Sequence, residues 1–306
     1  MSNMLPRRFG VEIEYNSFDK SSRSVDANNL PNGIYFFADT IKYKLNKNVD
    51  IHKWEHTNNN SNWVVKPDSS CGLEVCSPPV NTHDGFQEIY DVIECLAKTK
   101  YISADNRCSL HVHVEIEDFN QEEITTLVTR WINFEMFFYF ITRTNRWMNK
   151  YCKPLGFYHF FNNTKNINIT KAIDVLSDNK YFAINFYHYK KGKRKTIEFR
   201  IMGSDACLDP NDALNWCKVI LLFVDSCRKR SDNYTMIYNP KYLSVKEITN
   251  FIDFQNEKEL CMWIVSRLSD TMKSDLATMF VWKNMVENCK NDINELMDKL
   301  QGVACD

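Results

Sequence analysis

Three short stretches carry ionisable side chains at every second position: Glu12 and Glu14 in FGVEIEY, His111, His113 and Glu115 in SLHVHVEIE, and Glu198 and Arg200 in TIEFRIM. Successive side chains of a strand point to opposite faces, so in each stretch the ionisable groups share one face and the aliphatic residues share the other. A half-exposed antiparallel sheet also alternates in this way, and any one of these strands alone reads as a solvated surface. Residue type separates the two readings. Solvated strand faces favour Thr, Ser, Lys and Gln, whereas these offer glutamate, histidine and one arginine. Together they are the oxygen and nitrogen donors of a divalent-metal site, with one fixed cation for an anionic substrate. Carboxylates packed side by side repel and resist ionisation unless cations neutralise them. Five glutamates (Glu12, Glu14, Glu74, Glu115, Glu198) accompany two histidines and no cysteine joins the pattern, which favours magnesium or manganese over zinc.

Elements that must position these groups follow from periodicity and punctuation. Strands are predicted at Phe9–Tyr15, Trp63–Lys66, Leu73–Cys76, 109–117, Tyr181–Tyr189 and Lys195–Met202. A turn lies at Pro67–Gly72, and KKGKRK forms a hairpin loop around Gly192. The Asn-rich TNNNSN of Thr57–Asn62 reads as an exposed loop. Helices are predicted from Phe86 to Lys98 and from Gln121 to Met148, the latter opened by an Asn120/Glu123 capping pair and rich in aromatic residues that read as core. Asp209-Pro210 caps a helix running to Arg228. A Ser244/Glu247 capping pattern then begins a stretch that is helical to Leu300. Strands mixed with helices, followed by helices alone, predict an α+β fold with a mainly antiparallel sheet and a helical C-terminal appendage. The predicted boundary lies between residues 1–240 and 241–306.

A chain of 306 residues with 44% hydrophobic and 25% charged residues can bury a large core, which excludes a disordered or fibrous protein. A net charge of −1 supplies no global attraction to nucleic acid or to an anionic membrane. Eleven cysteines, odd in number and never spaced Cys-x-x-Cys, are expected to be reduced thiols in a cytosol. MSNMLPRRFG has no apolar signal core and no apolar run reaches a bilayer span, so a soluble cytoplasmic protein without a membrane partner is expected. Its oligomeric state is open.

The ordered series RFGVEIE, WVVKPDSSCGLEVCSPP, LHVHVE, RTNRWMNKYCKPL, YFAINF and TIEFRIMGS resembles the amidoligase family, a branch of the glutamine synthetase and glutamate-cysteine ligase superfamily. The resemblance spans about residues 7 to 230. It implies a curved, mainly antiparallel sheet whose concave face holds ATP with two or more Mg2+ or Mn2+ ions. The implied reaction is ATP-dependent amide formation from a small-molecule or peptide carboxylate and an amine, through an acyl phosphate. Carried onto this chain, Glu12, Glu14, Glu74, His111 and Glu198 are the metal ligands, and His113 and Lys66 lie with the nucleotide. Arg143 and Arg146 hold the transferred phosphoryl group, Arg200 meets the substrate carboxylate, and Asp68 is a further catalytic position. The chain departs from the family at Asp68-Ser69-Ser70, where Asp-Gly-Ser is usual, and at Cys108-Ser109, where glycine is common. Two other readings stand beside this one. In a zinc hydrolase His111, His113 and a glutamate would hold one ion while a second glutamate activates water. A non-catalytic protein would keep the sheet to bind a partner.

Overall fold

The structure is a computed structural model and describes residues 7–17, 33–52, 61–142, 145–157, 169–179, 181–191, 195–229, 245–254, 257–273, 284 and 286–305. Its strands are β1 (Phe9–Ser17), β2 (Val49–Ile51), β3 (Trp63–Asp68), β4 (Gly72–Cys76), β5 (Ile102–Ser103), β6 (Leu110–Glu115), β7 (Ile184–Asn185) and β8 (Thr196–Met202). Among the described residues they form one sheet in the order β2-β3-β4-β1-β6-β8-β7, with β5 pairing the end of β1. Every pairing is antiparallel except β2 with β3. The fold is α+β with a mostly antiparallel mixed sheet.

Alternation explains why this sheet forms and which face is core. Val11, Ile13, Tyr15, Leu73, Val75, Val112, Val114, Ile197, Phe199 and Ile201 are all buried. Helix α1 (Gly33–Leu45) packs with α2 (Thr82–Ala97), and α2 places Phe86 5.3 Å from Phe9, ring to ring. Helix α3 (Gln121–Ile141) lays Trp131 5.2 Å from Phe199 and stacks it 4.5 Å from Phe138. The start of α3 is set by the expected capping box: Asn120 Oδ1 accepts from the backbone N–H groups of Glu122 and Glu123, and Glu123 accepts from that of Asn120.

Further along lie the short helices α4 (Ile169–Asp178), α5 (Tyr187–Lys190) and α6 (Asp205–Leu208), then α7 (Pro210–Lys229). Asp209 caps α7, accepting from the Asn211 and Asp212 N–H groups at 2.8 and 3.3 Å. The last described helices, α8 (Val245–Phe251), α9 (Lys258–Lys273) and α10 (Lys290–Cys305), lie behind α3 and α7. Phe251 sits 5.6 Å from Phe134, the Thr271 hydroxyl donates to the Phe140 carbonyl at 2.6 Å, and the fully buried Arg267 pairs with Asp205 and Asp212. Among the described residues no helix is long and apolar enough to cross a membrane.

Two expectations need correction, and two elements went unread in the sequence. The aromatic helix ends at Ile141, and Asn145–Met148 forms a separate 3-10 turn. That turn swings Arg146 toward the sheet, where its Nη2 donates to the Arg200 carbonyl at 3.2 Å. The strand expected over Tyr181–Tyr189 is only Ile184–Asn185 long, because Asn185 Oδ1 accepts from the Tyr187 N–H at 2.7 Å and starts a helical turn. Helix α1 and strand β2 were not anticipated, since the Asn-rich punctuation around them hid a short amphipathic helix. Thr57–Asn60, Gly192–Arg194, Ser244 and Arg143 lie outside the described residues.

Candidate active site

The polar face of the sheet is buried as well, and this separates a site from a solvated surface. Glu14, Glu74, His111 and Glu198 are between 3% and 9% exposed. Strand register aligns them across the sheet: Glu14 opposes Glu74, which opposes Lys66; Glu12 opposes His111; His113 opposes Glu198, which opposes Asn185. Groups separated by as many as 186 positions in the chain therefore meet in one cluster on six adjacent strands.

Contacts within it fall into two halves. In one, His111 Nδ1 stands 3.4 Å from Glu12 Oε2 and 3.3 Å from Glu198 Oε1, and His113 Nε2 approaches Glu12 Oε1 to 3.2 Å without hydrogen-bond geometry. Arg200 pairs with Glu198 Oε1, and Asn185 Nδ2 donates to Glu198 Oε2 at 2.9 Å. In the other half, Lys66 Nζ meets Glu74 Oε1 at 2.7 Å, Cys76 Sγ lies 3.0 Å from the same oxygen, and the Ser109 hydroxyl lies 2.5 Å from Glu14 Oε2. The Ser109 oxygen is also 2.8 Å from His111 Nε2, which joins the halves.

Electrostatics differ accordingly. Burial opposes ionisation of Glu12 and Glu198, but His113, His111 and Lys66 beside Glu12, and Arg200 with both histidines beside Glu198, hold these carboxyls below their ordinary range. Burial, and then the Arg200 charge, lower His111, whereas Glu12 and Glu198 overcome burial at His113 and raise it. Glu14 is pushed up to about 8 by burial, with the Glu74 and Asp68 charges adding to it against the Ser109 hydrogen bond. Glu74 is pushed up to about 7 by burial and by Glu12, against Lys66. Facing carboxylates that cannot comfortably ionise are the expected state of a cation site.

Divalent cations fit this cluster. Ligand atoms of Glu12, His113 and Glu198 lie within 4.8 Å of one another, as do those of Glu14, Asp68 and Cys71, and those of Glu12, Glu74 and Cys76. Such separations suit donors arranged about one ion.

Most of the residues singled out from sequence converge: Glu12, Glu14, Glu74, Lys66, His111, His113, Glu198 and Arg200 are all in the cluster, and Arg146 packs against its edge. Asp68 sits beside it but is engaged in a turn, where its Oδ1 accepts from the Ser70 and Cys71 N–H groups at 2.6 and 3.2 Å. Ser69 in place of glycine causes no strain, because the left-handed position of this turn is Gly72, at φ 116°. Glu115 stands apart, 3.8 Å from Arg8 at the strand end. Arg143 is outside the described residues. Sequence reasoning missed Asn185, Cys76 and Ser109 as site residues. Asn185 could have been found from the polar residue in YFAINF, and Cys76 and Ser109 from their period-two spacing with Glu74 and His111.

The fold and the cluster together define a sheet protein with a buried cluster of carboxylate, imidazole and guanidinium groups. Residues 5–223 match the family model described as "putative amidoligase enzyme". The chain belongs to the amidoligase family. No curated protein matches its sequence. Among solved structures it is similar to a bifunctional glutathione synthetase from Pasteurella multocida, at 10% identity over 98% of this chain and 48% of that one, with a TM-score of 0.42. It thus spans about half the length of that synthetase. It is also similar to a glutamate–cysteine ligase from Francisella tularensis in complex with AMP, at 11% identity over 98% and 92% of the two chains, with a TM-score of 0.43. A complex of the prokaryotic ubiquitin-like protein Pup with its ligase PafA gives 9% identity over 98% and 65%, with a TM-score of 0.38.

Proposed function

We propose that this protein is an ATP-dependent carboxylate–amine ligase. The carrying observation is the convergence of Glu12, Glu198, both histidines and Arg200 in one buried cluster beside the under-neutralised Glu14–Glu74 pair. Family membership supports the amide-forming class, and the donor set supports magnesium or manganese. In this reading a substrate carboxylate attacks the γ-phosphate of ATP and ADP departs. The amine then attacks the acyl phosphate, releasing inorganic phosphate and one proton as the amide forms. Glu12, Glu14, Glu74, His111 and Glu198 would hold the cations, which supply neutralising charge for the phosphates.

Protein groups do the positioning. Arg200 is held by Glu198 with its guanidinium in the cluster, a fork suited to a substrate carboxylate. Burial excludes water, which would otherwise hydrolyse an acyl phosphate. His113 stands at the rim, 5.5 Å from the exposed His188, ring to ring, where it suits a nucleotide contact, and Lys66 is placed to share it. Arg143 and Arg146 are assigned to the transferred phosphoryl group and Asp68 to the turn that borders it. The curved form of the sheet, and the division into a catalytic part over residues 1–240 and a helical appendage over 241–306, belong to the same proposal; the family match ends before that boundary.

An acceptor screen tests it. Purified protein with ATP and Mg2+ is offered pooled carboxylic acids and amines, ADP release is followed, and the product mass is read. The expected result is Mg2+-dependent ADP release that needs both an acid and an amine, with a product equal to their sum less one water. Stoichiometric, tightly bound zinc together with no nucleotide affinity would replace this reading by the hydrolase.

A further inference from the structure

The Ser109 hydroxyl touches two of the groups assigned to cations. Its side chain is buried, with Oγ 2.5 Å from Glu14 Oε2 and 2.8 Å from His111 Nε2. A hydroxyl has one proton to donate, and an ionised carboxylate can only accept. A cation at the Glu14 group leaves its carboxylate ionised, and the short contact then takes the Ser109 proton as a charge-assisted bond. The Ser109 oxygen must then accept from His111, which places a hydrogen on Nε2. The other ring nitrogen, Nδ1, faces Glu12 Oε2 at 3.4 Å and Glu198 Oε1 at 3.3 Å. A neutral imidazole so arranged turns a lone pair toward two carboxylate oxygens. Three acceptors then converge with only the Arg200 N–H, on Glu198 Oε1, set against them, an arrangement that a further cation stabilises.

We propose that Ser109 is a positioning residue whose hydroxyl, anchored on Glu14, fixes His111 in the Nε2–H form and aims its Nδ1 at a divalent cation shared with Glu12 and Glu198. This rests on the cation-binding part of the functional reading and not on amide formation. It also makes the two halves of the cluster interdependent. Glu14 belongs to the group with Asp68 and Cys71, so the Ser109 hydroxyl joins that group to His111 through two short contacts.

Two measurements test it on the full chain. Nitrogen NMR of histidine-labelled wild-type protein saturated with Mg2+ alone is expected to show His111 protonated at Nε2 and bare at Nδ1. Calorimetric titration with Mn2+ alone is expected to give ~10–100-fold weaker binding for Ser109→Ala, the usual cost of losing a partner that orients a ligand, and near wild-type binding for Ser109→Thr. A hydrogen on Nδ1 in the Mg2+-saturated protein overturns the proposal, and so does Ser109→Ala binding Mn2+ as tightly as wild type. If Ser109→Ala fails to fold, the wild-type NMR result decides. Wild-type protein with the expected tautomer and no acceptor-dependent ADP release removes the ligase reading and leaves Ser109 in its role. An active ligase whose Ser109→Ala variant keeps its Mn2+ affinity does the reverse.

Discussion

Without cations, the protein should lose stability as pH rises toward 8, and Glu14 should be a principal cause. Its carboxyl is pushed from an ordinary 4.5 up to about 8, so between these values the folded chain holds a proton that the unfolded chain has released. Stability therefore falls with rising pH over this window: the Glu14 contribution is full below about 4.5 and is lost as pH passes through about 8. Forcing the buried carboxyl to ionise in place costs about 5 kcal/mol at most. For a chain of this length that corresponds to a fall of roughly 8 °C in Tm. The perturbation is Glu14→Gln, which retains the shape and cannot ionise. Thermal unfolding followed by circular dichroism between about pH 5 and pH 8.5 in EDTA should show a steeper decline for wild type than for the variant. Raised His113 adds to the decline in both proteins and cancels in the difference. Saturating Mg2+ should flatten the wild-type profile, because a bound cation favours the ionised form. Parallel profiles for wild type and Glu14→Gln in EDTA would refute the burial argument, and an unchanged wild-type profile with Mg2+ would refute the assignment of Glu14 to a cation.

Arg200→Lys keeps the charge but loses the planar fork, so the KM for the carboxylate substrate should rise tenfold or more, about 1.4 kcal/mol, in steady-state ADP-release kinetics. Glu198→Ala removes the partner of Arg200 and Asn185 together with a proposed cation ligand; ADP release should drop at least a hundredfold and Mn2+ affinity should weaken, read by kinetics and calorimetry. Arg267→Met leaves Asp205 and Asp212 without their buried cation, and urea unfolding should show a loss of about 3–5 kcal/mol. Asn120→Ala deletes both hydrogen bonds at the start of α3 and should cost about 1 kcal/mol in the same assay, with ligase kinetics unchanged.

Local patterns were legible where their physics is local. Alternation at Phe9–Tyr15, 109–117 and Lys195–Met202, the Asn120 and Asp209 caps, and the turn before Gly72 each depend on residues a few positions apart. The aromatic helix was over-extended to take in Trp147 and Met148, although residues 142–146 are polar and Asn145–Met148 form a 3-10 turn of their own. Residues Tyr187–Lys190 alternate like a strand, yet Asn185 captures the backbone and winds them into a helical turn. A stretch as short as Gly33–Leu45 between Asn-rich segments has too little periodic signal to stand out.

By itself the sequence determined that three strands would each carry one aliphatic and one ionisable face, because side-chain direction in a strand follows from covalent geometry. It also determined the α+β composition and, through ordered motifs, the family. Only the tertiary structure decided that the ionisable faces meet, since strand order and register are set by packing between residues far apart in the chain. That packing opposed Glu14 to Glu74 and His113 to Glu198 and buried them. It brought Asn185 against Glu198 and Ser109 against Glu14 and His111, and it made Glu14 and Glu74 hard to ionise while Glu12 and Glu198 stay charged. Burial and neighbouring charge are properties of a place in the fold, and no residue carries them before the chain has collapsed around it.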